Sequence, residues 1–488
     1  NPSALHNTPY KKEQRKIMLK QERPTECGYC WAMEDNGKLS DRHYRSGEPW
    51  ASKDYYSIVN SIGDEDVTPS YVEVNFNHVC NLACSYCSPQ FSSTWQAEVD
   101  KWGGYPTSTT HNDPSHFTGR NKPIPVSHSN PYVDAFWDWW PTLYPELKHF
   151  RMTGGEPMLD KNTYRVFDYV LANPKPDLHL NVTSNFSVDE KSWRKYLGYA
   201  KELCQEGVLE HFMQFISVDS FGSQAEYIRH GLDFVKCIGR ADLFLAEITY
   251  RNSLTFIITL SNLAIPNVHH LLTHILKLRQ KHSTTYQRIW FDTPVLRTPQ
   301  WQSLQILPEA YVSILEDVVK FMELHKLEEG SNRFDGFKDY EIQRLRRDID
   351  WMKRGKKLSE KYITETRADF YRFFNEYDKR RNEFLSNTAK TKNGNPPTFR
   401  RDLELDAIAE ILNKKRFITC HSYVQSEVNM LMHVGDSLGF QVNTFTHILE
   451  GYKVADKMKA HGVAAGTFSD WWNYKWEVHV LMPELTWG

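Results

Sequence analysis

Tyr71-Val72-Glu73-Val74-Asn75-Phe76, followed by Asn77-His78-Val79-Cys80-Asn81-Leu82-Ala83-Cys84-Ser85-Tyr86-Cys87, decides how this chain is read. Val72, Val74 and Phe76 alternate with Glu73, Asn75 and Asn77, the period of two residues expected of a half-buried strand. That strand runs straight into three cysteines separated by three and then two residues. Outward from it, strand-like stretches recur at 150–153, 178–183, 213–218, 254–260 and 289–291, with helix-length segments at 162–172, 190–204, 225–235 and 268–280. Ser187 with Glu190 three residues on predicts a capping box for the second of these helices, and Pro174 stops the first. Six strands separated by helices predict an α/β fold, a parallel βα array closed or partly closed into a barrel. In such arrays the chemistry gathers at the C-terminal ends of the strands.

The stretch 88–141 is rich in Ser, Thr, Asn and Pro and carries Phe136-Trp137-Asp138-Trp139-Trp140. It predicts an elaborated loop over one face. From 308 to 385 the pattern is helical and charged, with Phe370, Phe373 and Phe374 near Lys379, Arg380 and Arg381, predicting a solvated helical extension that packs one aromatic stripe. Residues 386–400, polar with Gly394, Pro396 and Pro397, read as a linker. The expected divisions are an N-terminal extension at 1–70, a core at 71–300, the helical extension at 301–385, the linker and a separate α/β segment at 401–488. No internal repeat is visible.

The 488 residues carry 59 Lys and Arg against 61 Asp and Glu, a formal charge of -2. That balance argues against a nucleic-acid or anionic-membrane binder working by bulk charge. With 40% apolar residues the chain can bury a core, and no apolar run approaches the roughly 18 residues of a membrane span. The start Asn1-Pro2-Ser3-Ala4-Leu5-His6 lacks the layout of a signal peptide, so a cytoplasmic location is expected. Asn1 is not a methionine, and the natural chain is expected to begin earlier.

Eight cysteines are too few for a disulfide scaffold of this length. Cys204, Cys237 and Cys420 stand alone and read as small buried hydrophobes. Cys80, Cys84 and Cys87 suit a 4Fe-4S cubane in which one iron lacks a protein ligand. A structural zinc site wants four ligands, and no histidine pair at finger spacing lies nearby. Cys27-Gly28-Tyr29-Cys30 is a second pair, compatible with half of an auxiliary iron-sulfur cluster, half of a zinc site, a redox dithiol or plain buried thiols. Tyr29 and Trp31 beside it read as packing.

At these residues the chain resembles the radical S-adenosylmethionine (SAM) enzymes. Cys80-Xaa3-Cys84-Xaa2-Cys87 matches their cluster motif, with Tyr86 before the last cysteine as in many members. Gly154-Gly155-Glu156-Pro157 follows the second strand, where the family meets the SAM amino group; Thr183-Ser184-Asn185 ends the third, where the family contacts the ribose. Ser217, Asp219 and Arg229 lie at and after the fourth strand, a region that often holds the SAM carboxylate and ribose. The resemblance implies a partial (β/α)6 barrel whose open iron chelates SAM. The reduced cluster then cleaves SAM, and the 5'-deoxyadenosyl radical abstracts a substrate hydrogen. It implies a peptide or small-molecule substrate and an electron donor such as flavodoxin or ferredoxin. The run from Asn1 to about Asn387 looks like members carrying a twitch-type auxiliary-cluster domain, which makes Cys27 and Cys30 candidate ligands of a second iron-sulfur cluster. On residues alone, the glycines at 154 and 155 let backbone approach a ligand closely.

The segment from about 399 to 477 resembles part of a metal-dependent amidohydrolase barrel. Ile418 to Tyr423 and Asn443 to Gly451 look like two of its strands, which implies His421 and His447 as metal ligands; 467–472 reads as the next strand. Its other ligand-bearing strands have no counterpart here, and a quarter of a barrel leaves edges unpaired. The alternatives to a radical SAM enzyme are therefore a metal-dependent hydrolase centred on this segment and a non-catalytic iron-sulfur or zinc protein that binds a partner through its aromatics.

Overall fold

Six parallel strands run in sequence order across one sheet: β1 (Tyr71–Asn75), β2 (His149–Thr153), β3 (Lys175–Ser184), β4 (Leu209–Ser217), β5 (Asn252–Ile257) and β6 (Ile289–Asp292). The computed structural model describes residues 2–35, 40–283, 285–392, 418–421, 425–438, 440–446 and 451–466. The chain divides into two compact units, Asn1–Arg381 and Asn382–Gly488.

In the first unit the period-two pattern sorts the sheet. Phe150, Met152, Leu178, Leu180, Val182, Phe212, Ile216, Leu254 and Phe256 are buried in one core with the helices Lys161–Ala172, Glu190–Leu203, Phe234–Glu247 and Val268–His282. The alternate row, including His149, Arg151, Thr153, Thr183, His211, Phe215 and Ser217, is half-buried. Parallel sheets usually bury both faces under apolar residues; here the second face carries histidine, arginine and hydroxyl groups. His149, His179 and His211 line up across three adjacent strands on it, the first two rings stacked at 4.4 Å and the third tilted at 6.0 Å from His179. Burial depresses His211 to about 4, keeping that imidazole neutral.

Three local expectations are corrected. The aromatic stretch within 88–141 is a helix, Pro131–Leu143, capped by the Asn130 side chain, with Phe136, Trp137 and Trp140 inside the main core. Their spacing puts them on one helical face, and Pro131 suits the first helical position. The expected helix at 225–235 breaks: Ser223–Ile228 is helical, Arg229–His230 pairs antiparallel with Ala83–Cys84, and the next helix starts at Phe234 under the Asp233 cap. Gly231, at φ +98, makes the turn between them. The helix Glu190–Leu203 is capped by Asp189, which accepts from Ser192 N at 3.0 Å, rather than by Ser187.

The helical extension comprises Val312–Leu324, Asp339–Lys353 and Glu360–Lys392. Phe373, Phe374 and Tyr377 of the long helix form a second core with Trp95, Tyr105 and Trp301. The arginines beside this stripe are not solvated, as the charge pattern suggested. Arg380 donates to the Gly103 and Gly104 carbonyls, and Arg381 pairs with Glu98 and lies 3.3 Å over the Tyr377 ring. The aromatic stripe needs cover on both sides, and these long side chains supply it. Residues 386–392 of the expected linker belong to this helix, and 393–400 lie outside the described residues.

The second unit holds three short parallel strands, with Thr444–Thr446 between Thr419–His421 and Ala464–Gly466, over a small core of Val428, Met432, Val442, Phe445, Val454 and Met458. His421 ends its strand; His447 and the expected strand at 467–472 lie outside the described residues. Among the described residues no helix is long and apolar enough to cross a membrane.

Candidate functional site

Four segments that leave the carboxyl ends of neighbouring strands meet: the cysteine loop after β1, the Gly154–Pro157 turn after β2, Asn185 after β3 and Asp219 after β4. The cysteine loop is held through its backbone. Cys80 N donates to Ser93 Oγ at 3.1 Å, and Thr94 Oγ1 donates to Cys80 O at 2.7 Å. Trp95 Nε1 donates to Cys84 O at 2.9 Å, and Asn112 Nδ2 to Cys87 O at 3.0 Å. Tyr377 Oη, from the long helix, donates to Ala83 O at 3.2 Å, and Gln302 Nε2 to Ser85 O at 2.9 Å. Carbonyls tied one by one leave the loop a single conformation and its thiols a fixed arrangement.

The glycines serve this loop. A Cβ on Gly155 would sit 2.1 Å from the Val79 carbonyl oxygen, and Glu156 N donates to that same oxygen at 2.5 Å. Gly154, at φ +92, faces the Asn75 side chain, 1.9 Å from where its Cβ would be. The backbone that approaches closely is thus that of the cysteine loop itself, which corrects the reading of these glycines as clearance for a ligand. Glu156 is fully buried. It accepts from Ser184 Oγ at 2.7 Å, Asn185 N at 2.8 Å and Met158 N at 3.0 Å. Asn185 is itself engaged, donating to Asn81 Oδ1 and accepting from Ser187 N, both at 2.8 Å. Thr183 accepts from Arg151 at 3.1 Å on the half-buried face, where Ser217 also lies. Glu156, Ser184 and Asn185 therefore stitch the ends of β2 and β3 to the cysteine loop.

Burial pushes the Glu156 carboxyl from its ordinary 4.5 up to about 7. The folded chain then keeps a proton that the unfolded chain loses, so this group's contribution to stability is complete below pH 4.5 and is lost as pH rises through about 7. The loss is on the order of 3 kcal/mol. Asp348, raised to about 7 mainly by burial, adds a slope of the same sign. The difference between wild type and Glu156→Gln isolates the first: urea unfolding of the variant is expected to show a shallower decline between pH 4.5 and 7.5, and identical slopes would contradict the assignment.

Asp219 and Arg229 form a buried pair beside Cys84. Arg229 Nε lies 2.8 Å from Asp219 Oδ2, and Nη2 donates to Oδ1 at 2.9 Å. Thr259 N donates to Oδ1 at 2.9 Å and Tyr86 Oη to Oδ2 at 2.7 Å, while Arg229 Nη2 also reaches Tyr86 Oη at 2.6 Å. Arg229 Nη1 points to Cys84 Sγ at 3.5 Å.

The donor set fits an iron-sulfur cluster. Burial, and then the neighbouring thiols, raise Cys80 and push Cys87 up to about 12; burial also raises Cys84, against the opposing Arg229 charge. Such thiols stay protonated and inert unless bound metal draws off their protons. Leu82 N donates to Cys80 Sγ at 3.5 Å, so two of the three sulfurs already have N–H donors, the outer-shell bonds that tune such clusters. Among the described residues no three His, Cys, Asp or Glu side chains converge as a single metal ion requires; a cubane spreads its thiols around a larger body. Cys27 closes a 3-10 turn and Cys30 lies in the helix Gly28–Asp35, both half-buried thiols with no third ligand assembled around them among the described residues. Trp31 packs, bonded to Pro24 O and under Arg42, whereas Tyr29 is exposed.

Sequence reasoning missed Asn75, Ser93, Thr94, Gln302 and Tyr377. Ser92-Ser93-Thr94 ahead of Trp95 is a helix-start signal that could have found the second and third; the others are joined to the loop only by the fold.

No protein-family model matches the chain, and no curated protein matches it. Among solved structures it is similar to SuiB of Streptococcus suis bound to S-adenosylmethionine, at 12% identity and a TM-score of 0.34, over 66% of this chain and 60% of that one. It is similar also to a second structure of SuiB and to SuiB bound to the precursor peptide SuiA, each at 10% identity and a TM-score of 0.32 over 64% of this chain. The chain thus spans 60% to 63% of the length of these structures.

Proposed function

We propose that this chain is a radical SAM enzyme built on a partial (β/α)6 barrel, acting on a peptide or small-molecule substrate with electrons from a flavodoxin- or ferredoxin-like donor. The observation that carries the reading is the buried loop holding Cys80, Cys84 and Cys87 at the carboxyl end of a parallel sheet, its thiols inert without metal. These three cysteines would hold a 4Fe-4S cluster, which, once reduced, supplies one-electron cleavage of SAM. The protein's own part is to fix the loop, exclude water and orient the second ligand. Gly155 and Glu156 lock the loop to β2, and Tyr377 closes it from outside. Thr183 and Ser217, on the half-buried face, are the hydroxyls left for SAM or substrate, while Ser184 and Asn185 act as struts.

Anaerobic reconstitution should give about four iron and four sulfide per chain, and dithionite should then convert SAM to 5'-deoxyadenosine. Divalent metal without sulfide would overturn the reading in favour of a zinc site. A cluster that leaves SAM intact would reduce it to a non-catalytic iron-sulfur protein.

A further inference from the structure

Arg229 was expected to meet SAM, yet the fold directs it elsewhere. The ribbon Ala83–Cys84 pairs with Arg229–His230 so that Cys84 and Arg229 are direct ladder partners, and Ser85 N donates to Ile228 O at 2.7 Å to extend the register. Opposed positions in an antiparallel ladder bring their side chains together. The guanidinium is fixed on its other edges by Asp219, 0% exposed, and by the Tyr86 hydroxyl, which leaves Nη1 aimed at the Cys84 sulfur. A planar fork held on two sides has no freedom to reach a third partner elsewhere.

We propose that Arg229 is a positioning residue that donates a charge-assisted hydrogen bond to the Cys84 thiolate, aimed by Asp219 and Tyr86, and thereby sets the reduction potential of the cluster; the inference rests on the functional reading above. A reduced cluster carries one more negative charge than its oxidised form. A buried cation bonded to one of its sulfurs stabilises the reduced form, and a buried anion behind that cation moderates the effect. The two partners therefore pull the potential in opposite directions, a signature that mere scaffolding lacks.

The test is an anaerobic redox titration of the reconstituted chain without SAM, followed by electron paramagnetic resonance. Arg229→Gln should shift the oxidised-to-reduced ratio at least tenfold toward oxidised at a given potential, about 59 mV more negative for one electron. Asp219→Asn should move it the other way, and Arg229→Lys, which keeps the charge without the fork, should fall between wild type and Arg229→Gln. If Arg229→Gln does not hold a cluster, the rise in Asp219→Asn decides. Unmoved potentials, or shifts of one sign in both variants, overturn the role of Arg229 while leaving the functional reading standing. A wild-type chain that binds neither iron nor sulfide overturns that reading, and this inference with it.

Discussion

Cys84→Ala is expected to bring iron and sulfide to background and to lower dithionite-driven SAM cleavage by about three orders of magnitude or more, with little change in the fold. A cubane left with two thiolates has two irons without protein ligands, and the structure offers no substitute: Ser85 is bonded to Gln302, and no other cysteine lies in the loop. The fold should survive because the Ala83–Cys84 ribbon is held by backbone bonds and by Trp95 and Tyr377, none of which uses the sulfur. Iron and sulfide analysis beside circular dichroism checks both halves. Undiminished cleavage in a folded variant would remove the cysteine argument altogether.

Gly155→Ala is expected to destabilise the chain by about 3 kcal/mol, at the upper end for overpacking a rigid site, and to cost it the cluster as well. The added methyl meets the Val79 carbonyl at 2.1 Å for the oxygen and 2.7 Å for the carbon, and this is backbone with no rotamer to change. Relief requires the cysteine loop to withdraw from β2, which breaks the bond from Glu156 N to Val79 O and displaces Cys80, the next residue. Urea unfolding gives the stability and reconstitution gives the iron count. A variant that keeps both would show that the loop has slack here and that the glycine answers to something else.

The six strands were legible because alternation is a local property: each side chain's neighbours two residues away already say which face it takes. The cysteine spacing was legible for the same reason, since all three thiols lie within one short loop. The helix at 225–235 was misread because its residues are adequate helix formers, and the competing structure is a pairing with Cys84, 145 positions away. The aromatic stretch before β2 was misplaced because a Pro-, Ser- and Asn-rich approach suggested a loop, while its core partners are Phe76, just past the end of β1, and Phe150, within β2.

From its residues alone the chain determined an α/β order of elements, three thiols in one loop after the first strand, and a glycine pair after the second. Period and spacing encode these within a few residues. Tertiary structure alone decided which groups those residues serve: that Gly155 makes room for Val79, that Glu156 binds two strand ends together, and that Arg229 faces the Cys84 sulfur. Each of these depends on a contact between segments far apart in sequence, where burial removes water and leaves every polar atom to find its partner within the protein.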